Sequence, residues 1–221
     1  MLNYHVHIPL PDPMVNPATL KRQEFYAVRS SPSYAFDGES DGGGGGADAA
    51  KSIFDSKVDP KIAKLLAVPP GASIALKASS TGSTVKVRAQ VSKVTSTSDK
   101  LRLQIALAED SVTYSGENGE RFHPIVVRSM ALDATSAQGF ALKPGKGGTF
   151  EYTFDVAKAV ADAKAHLEDY ETNTRKGAYS FRQKKHEITG GFTVVAFVQD
   201  EATKKILQST LVKPTVSKAS K

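Results

Sequence analysis

Two histidines near the start of the chain, in the stretch HVH, are the first residues whose type and spacing could support chemistry. On an extended strand, His5 and His7 would lie on the same face, where their imidazoles could share a metal ion. The other histidines, His123, His166 and His186, are remote in sequence and supply no evident third ligand. The pattern therefore favours structural roles for His5 and His7, with metal binding as the less favoured alternative.

An acidic, glycine-rich stretch, DGESDGGGGGAD, has part of the spacing of a calcium-binding loop. Asp37, Glu39 and Asp41 take the first three ligand positions, and Asp48 takes the last. The run of five glycines and the lack of a good preceding helix argue against calcium and favour a mobile acidic loop. No Gly-Lys-Ser or Gly-Lys-Thr follows at the spacing of a phosphate-binding loop.

The chain contains no cysteine, which excludes disulfides, thiolate metal sites and cysteine nucleophiles. The acidic pairs in LAED and LEDYE are interpreted as solvated faces or helix ends. The stretch RFHPIVVR, Arg121–Arg128, could bind an anion, but a sandwich strand with polar edges is the preferred interpretation. The sequence predicts no cofactor.

Positive charge is concentrated in the second part of the chain. Residues 1–68 hold seven lysines and arginines against eight acids, a net charge of −1, and residues 69–221 hold 22 against 15, a net charge of +7. These cations are interspersed with acids and form no aromatic-rich basic stripe, so we expect a soluble protein without a nucleic-acid partner. No signal peptide is evident, and no apolar run approaches the ~20 residues of a membrane span.

The first 68 residues predict short mixed elements. LNYHVHIPL alternates like a strand, and PATLKRQEFYAV predicts a helix with Asn16 as its N-cap and Pro17 in its first turn. SYAFDG predicts a short strand and a turn, and two short helices broken at Pro60 follow the glycine run. The stretch VPPGAS marks a domain boundary.

From Ser73 onward, apolar and polar residues alternate with period two, which predicts antiparallel strands with one buried face. ENGE, Glu117–Glu120, indicates a tight hairpin, and a helix is expected at about residues 156–171. The predicted fold class is α+β: a thioredoxin-like α/β segment truncated to residues 1–68, an antiparallel β-sandwich with a helical insertion over 69–215, and a flexible tail over 216–221.

Residues 4–38, YHVHIPLPDPMVNPATLKRQEFYAVRSSPSYAFDG, resemble the C-terminal half of a thioredoxin-like domain in a group of bacterial exported proteins with an appended β-sandwich. The stretch LAEDSVTYSGENGERFHPIVVRSM resembles that sandwich and is also similar to the C-terminal part of the Omp28-like outer-membrane group. The resemblance implies that Pro32, preceded by Ser31, is the cis-proline that faces the redox cysteines in intact relatives. The segment carrying those cysteines is absent here, so we expect the remnant to pack against the sandwich or to borrow a missing segment.

These observations predict a non-catalytic remnant of an exported thioredoxin-like protein that acts as a binding or structural module. A protein partner would bind the β-sandwich or an open sheet edge, and the resemblance implies a periplasmic location. The alternative is the back half of a thiol-disulfide oxidoreductase whose cysteine-containing half is missing from this reading frame. An anion or nucleic-acid binder rests only on the charge of residues 69–221.

Overall fold

Two sheets pack face to face in the computed structural model, which describes residues 1–43, 47–116 and 119–216. The first, here called the central sheet, comprises Leu101–Thr113 (β5), Phe122–Met130 (β6), Phe140–Ala141 (β7), Phe192–Asp200 (β9) and Ile206–Val212 (β10). The second, here called the outer sheet, comprises Ser73–Thr81 (β3), Thr84–Ser92 (β4), Gly148–Asp155 (β8) and Thr215–Val216 (β11). The predicted α+β class with an antiparallel sandwich is confirmed.

The strand orders are β10-β9-β5-β6 in the central sheet, with β7 also pairing with β5, and β11-β3-β4-β8 in the outer sheet. Every pairing among these strands is antiparallel except that of β11 with β3. The alternation in TVKVRAQVS determines which face of β4 is buried. Val85, Val87 and Val91 are buried between the sheets, whereas Lys86 and Arg88 point to solvent.

The central sheet is covered on both faces. Leu101, Leu103 and Ile105 of β5 pack towards the outer sheet, as the alternation predicts. Gln104 lies on the opposite face and is nevertheless fully buried. The expectation of one buried face is therefore wrong for β5, because the N-terminal region forms a third layer against that side.

The third layer is held by apolar contacts between residues that are far apart in the sequence. Its members pack on a small cluster of Ala106, Val127, Met130 and Phe197. Leu2, Tyr4 and Ala18 of the N-terminal region contact this cluster. The segment thus packs against the sandwich, the first of the two arrangements expected for it.

The prediction of a strand over LNYHVHIPL is wrong except at Asn3. Asn3 forms a single parallel bridge to Val126 of β6, and residues 4–12 join no ladder. A tight turn in which the Ile8 amide donates to the Val6 carbonyl interrupts the extended backbone, and Pro9 and Pro11 lack ladder donors.

The remaining N-terminal elements are a helix, a hairpin and a helical run. Helix α1 spans Pro17–Tyr26, and the Asn16 side chain accepts hydrogen bonds from the amides of Ala18 and Thr19, which confirms the predicted cap. The hairpin joins Ser33–Phe36 (β1) to Glu39–Gly43 (β2). The run comprises Ala50–Ile53 (α2), a π-helical Phe54–Val58 and Asp59–Leu66 (α3).

Pro60 does not break this helical run, contrary to the prediction. It occupies the first turn of α3, directly after the π-helical turn. The wider turn lets the Asp59 amide bond to the Phe54 carbonyl, and a proline without a donor N–H is tolerated at such a position.

The predicted inserted helix is α4, Val156–Asp169, followed by a π-helical Tyr170–Thr174. Asp155 caps it by accepting from the Lys158 amide. At the C-terminus Val216 pairs in β11, while the rest of the predicted tail, and Glu117 and Asn118 of the predicted hairpin turn, lie outside the described residues. Among the described helices, none has both the length and the apolar character to cross a membrane.

Candidate functional site: a histidine cluster beneath the N-terminal segment

Residues 3–12, here called the N-terminal strap, bring together four histidines from three parts of the chain. The imidazoles of His5 and His123 lie with their ring centroids 5.2 Å apart. The Nε2 atoms of His7 and His166 are 3.1 Å apart. With Asp12 these residues form what we call the histidine cluster. His166 in α4 and His123 in β6 lie close to the strap only because of the tertiary fold, and no spacing in the sequence indicates it.

Asp12 orients His5. The Nδ1 atom of His5 lies 2.7 Å from Oδ2 of Asp12, and the other carboxylate oxygen accepts the Met14 amide at 2.8 Å. In the neutral form of the His5 ring, this arrangement places the proton on Nδ1 and leaves a lone pair on Nε2. Such a carboxylate–imidazole pair can orient either a general base or a metal ligand.

Both ring nitrogens of His7 are already engaged. Its Nδ1 atom accepts the Asp12 amide at 3.0 Å, so Nε2 carries the proton and donates it to Nε2 of His166. The ring also stacks on Tyr170 with a centroid distance of 3.9 Å and lies near Phe181. A metal ion on Nε2 would have to displace this proton, and Nδ1 could not take the proton up because it accepts the Asp12 amide. This geometry therefore opposes His7 as a metal ligand.

Burial keeps the His7–His166 pair neutral near pH 7. Desolvation is the largest effect on His7 and, with the charge of His166, lowers the pKa of His7 to about 4, while Asp12 acts in the opposite direction. Desolvation likewise lowers the pKa of His166, against the opposing effect of Asp169. The shared contact therefore depends on both imidazoles remaining neutral, with one ring proton each.

His123 is held by the backbone. Its Nε2 atom donates to the Tyr114 carbonyl at 3.0 Å, which leaves Nδ1 as the acceptor nitrogen. Within residues 1–43, 47–116 and 119–216, no three histidine, aspartate or glutamate side chains are grouped so that they could hold a metal ion. In this arrangement the histidine cluster joins the strap to the sandwich.

The acidic loop candidates form no group of three that could hold a metal ion within the described part of the chain. Asp37 precedes Gly38 in the β1–β2 turn, Asp41 forms an ion pair with Lys61 at 3.0 Å, and Asp48 lies in a 3-10 turn, Ala47–Ala49. Desolvation raises the pKa of Asp37, and the neighbouring Glu39 adds to that effect. Gly44–Gly46, which complete the predicted loop, lie outside the described residues.

The stretch GESDG, residues 38–42, has the Gly-x-Ser-x-Gly pattern of a serine nucleophile, a signal that the sequence reasoning missed. A nucleophile elbow places its serine on a sharp turn between a strand and a helix. Here Ser40 lies exposed within β2 of a hairpin. The pattern therefore lacks the structural setting that would activate the hydroxyl.

The proline corner lies at the surface. The Ser31–Pro32 peptide bond is cis, as is Ile8–Pro9. Ser31 and Pro32 are exposed and lead directly into β1.

A buried ion pair is the main polar feature that the sequence did not reveal. Nε and Nη2 of Arg128 donate to Oε2 of Glu109 at 2.8 and 2.5 Å, and both side chains are almost fully buried. Oε1 of Glu109 accepts the amides of Thr189 and Gly190, while Arg128 also donates to the Lys185 carbonyl. Reading LAED as a solvated face is thus wrong for Glu109, and Arg128 is not free to bind an anion.

The solvent-facing side of the outer sheet presents a second candidate surface, here called the basic face. It contains a shallow groove of about 570 Å³ whose polar lining includes Lys77, Lys86, Arg88, Glu151 and Thr153. Arg88 pairs with Glu151, whereas Lys77 and Lys86 have no ion pair with any described residue. The face therefore keeps unneutralised positive charge, and its strand residues remain exposed among the residues that the structure describes.

No protein-family model and no curated protein sequence matches the chain. Two solved structures are similar to parts of it. A domain of the outer membrane lipoprotein Omp28 from Porphyromonas gingivalis is 18% identical over 66% of this chain and 98% of its own, with a TM-score of 0.37. The alkylpurine DNA glycosylase AlkC from Pseudomonas fluorescens, bound to DNA with an abasic site analog, is 11% identical over 76% of this chain and 36% of its own, with a TM-score of 0.29. Similarity at this level carries no argument about function.

Proposed function

We propose that this chain is a non-catalytic protein-binding module whose contact surface is the basic face. The observation that carries the proposal is the difference between the two sheets. The central sheet is covered on both sides, whereas the basic face presents to solvent long polar side chains and two lysines that form no ion pair within the described ranges.

The engagement of the buried polar groups supports the non-catalytic part of this proposal. His7 and His166 bind each other, and Glu109 and Arg128 satisfy each other and the adjacent backbone. The chain has no cysteine, and a thiolate is the nucleophile that thiol-disulfide exchange requires.

The chemistry of the basic face favours an acidic protein partner. Lys77 and Lys86 lie on adjacent strands, and Lys77 is directly opposite Arg88. Three positive charges are therefore close together, and Glu151, the carboxylate in the groove lining, pairs with Arg88. Hydroxyl groups of Ser79 and Thr153 border these cations. Carboxylates of a partner would relieve the repulsion and accept these hydrogen bonds.

The further proposal that the module derives from an exported, periplasmic thioredoxin-like protein rests on the sequence resemblance. The order of elements is consistent with it: α1, the Ser31–Pro32 corner, the β1–β2 hairpin and the helical run through α3 follow one another as in the second half of that domain. The pairing of Asn3 with β6 rather than with β1 departs from an intact thioredoxin sheet.

Site-specific photocrosslinking in the source cells tests the function. A photoreactive benzoylphenylalanine at Thr153 should give one discrete protein adduct, and the pair Lys77→Glu and Lys86→Glu should abolish it. The matched control, Lys143→Glu with Lys146→Glu, makes the same change in net charge at two exposed loop positions and should leave the adduct intact. No discrete adduct, or equal loss with both pairs, would contradict binding at this face.

A further inference from the structure

The contact between His7 and His166 has no place for an additional proton. A proton added to His7 would go to Nδ1, where the ring accepts the Asp12 amide at 3.0 Å. A proton added to His166 at Nε2 would face the Nε2–H of His7 across 3.1 Å. Either protonation therefore breaks a hydrogen bond and leaves two N–H donors facing each other.

The groups around the pair do not neutralise such a charge fully. Asp12 approaches from the strap, but its carboxylate oxygens already bind His5 and the Met14 amide. From α4, Asp169 favours protonation of His166 less strongly than burial opposes it. The segment after α4 contributes the rings of Tyr170 and Phe181, which stack on or lie near His7.

Glu171 and Lys184 are the remaining charged neighbours of this segment. They form an ion pair at 2.7 Å, and Glu171 also accepts the Phe181 amide. Because that carboxylate is already engaged, it is a poor counterion for a protonated His7.

The strap covers one edge of the central sheet. The Asn3 amide donates to the Ile125 carbonyl, and the Asn3 carbonyl accepts the Val127 amide, both at 3.0 Å. If the strap leaves, these β6 backbone groups lose their partners and become available to another extended chain.

We propose that His7 and His166 form an acid-sensitive latch that holds the N-terminal strap on α4 and releases it from the edge of β6 in mild acid. A histidine whose pKa is lower in the docked state stabilises docking fully above its undocked pKa, and this stabilisation is lost as the pH falls below that value. For His7 the window runs from about 6.5 down to about 4. His7 alone should raise the ratio of undocked to docked strap about 20-fold between pH 7 and pH 5.

Hydrogen exchange of the full chain at pH 7 and pH 5, corrected for intrinsic exchange rates, tests the latch. Protection of the strap amides and of Val127 should fall about 20-fold or more at pH 5, while protection of β5 and β9 amides remains. Unchanged strap protection at pH 5 would overturn the proposal, as would a loss that extends equally to β5 and β9, since the whole fold would then be responding.

Variants separate the latch from a general effect of acid. In His166→Gln the amide oxygen can still accept the His7 proton but cannot titrate, so the pH dependence should become weaker. The double variant His7→Gln with His166→Gln should show almost none. His186→Gln removes a histidine from outside the pair and should retain the full response. A wild-type pH response in both His166→Gln and the double variant would contradict the latch, as would loss of the response in His186→Gln. In either case the response would come from groups other than the His7–His166 pair.

Discussion

At the scale of single residues, the Glu109–Arg128 pair shows how a buried charge can hold a loop in place. The ion pair itself offsets the cost of removing two charges from water, and the remaining carboxylate oxygen accepts two backbone amides from residues 189 and 190. Because Arg128 also binds the Lys185 carbonyl, the pair joins β5 and β6 to the segment that precedes β9. Either charge alone would be buried without a partner.

Replacing Glu109 with Gln should lower the free energy of unfolding by about 3–5 kcal/mol, because it leaves the Arg128 charge buried and unpaired. Urea unfolding followed by circular dichroism measures this loss. Arg88→Gln is the matched control, since it removes a solvent-exposed pair with Glu151 and should cost less than about 1 kcal/mol. Equal losses for the two variants would show that the buried pair does not have this role.

At the scale of elements, the turn of the β1–β2 hairpin holds the hairpin against the β9–β10 turn. Gly38 has a φ of +86°, and the Asp37 carbonyl accepts the Ile206 amide at 2.7 Å. A Cβ atom at Gly38 would overlap the carbonyl oxygen of Lys204. Both the backbone conformation and the close approach to the β9–β10 turn therefore require glycine at this position.

Gly38→Ala should release the hairpin from the β9–β10 turn and lower the free energy of unfolding. Gly82→Ala is the matched control, because Gly82 also has a positive φ, +55°, but no atom within 4 Å of an added Cβ. The control should lose about 1–2 kcal/mol through its backbone conformation alone, and Gly38→Ala should lose more.

Amide exchange at Ile206, together with urea unfolding, measures the hairpin effect. Faster exchange at Ile206 is expected only in Gly38→Ala. If the two alanine variants behave alike, the contact with Lys204 does not constrain the turn.

At the scale of the whole molecule, the N-terminal region acts as a structural layer of the sandwich. It covers the face of the central sheet that carries Ala106, Val127, Met130 and Phe197, and the buried Arg22 of α1 donates to Gln199 of β9 at 2.7 Å. The boundary predicted near residue 68 separates two sequence textures, and these contacts cross it. Because this layer buries apolar surface, we expect the two parts to depend on each other for stability.

A chain limited to residues 69–216 should therefore expose this apolar face. We expect it to bind a hydrophobic dye such as anilinonaphthalene sulfonate and to unfold at lower urea concentration than the full chain. Dye fluorescence and urea unfolding, with the full chain as the control, measure both effects. A truncated chain that equals the full chain in both assays would show that the sandwich is independent of this layer.

The purified full chain should not accelerate disulfide reduction by dithiothreitol above a protein-free control, because it has no cysteine from which to form a mixed disulfide. An insulin reduction assay, with a cysteine-containing thioredoxin as the positive control, measures this. Activity above the protein-free control would refute the proposal that the chain is non-catalytic.

The sequence by itself predicted those features that depend on near neighbours. The alternation of Val85, Val87 and Val91 with Lys86 and Arg88 predicted β4, because side chains alternate between the faces of any strand. The cap at Asn16 could be predicted because its side chain bonds amides only two or three residues away. The sandwich class followed from repeating such strands.

Only the tertiary structure decided which polar residues lie inside and which histidines meet. Gln104 is fully buried, and its side-chain amide donates to the carbonyl of Gln138, a residue 34 positions away in the sequence. His7 reaches His166 across 159 positions, and the amide of Asp12, a residue of the strap, fixes its tautomer. Local patterns record the period of a strand or helix, whereas burial and proton positions depend on contacts made after the chain has folded.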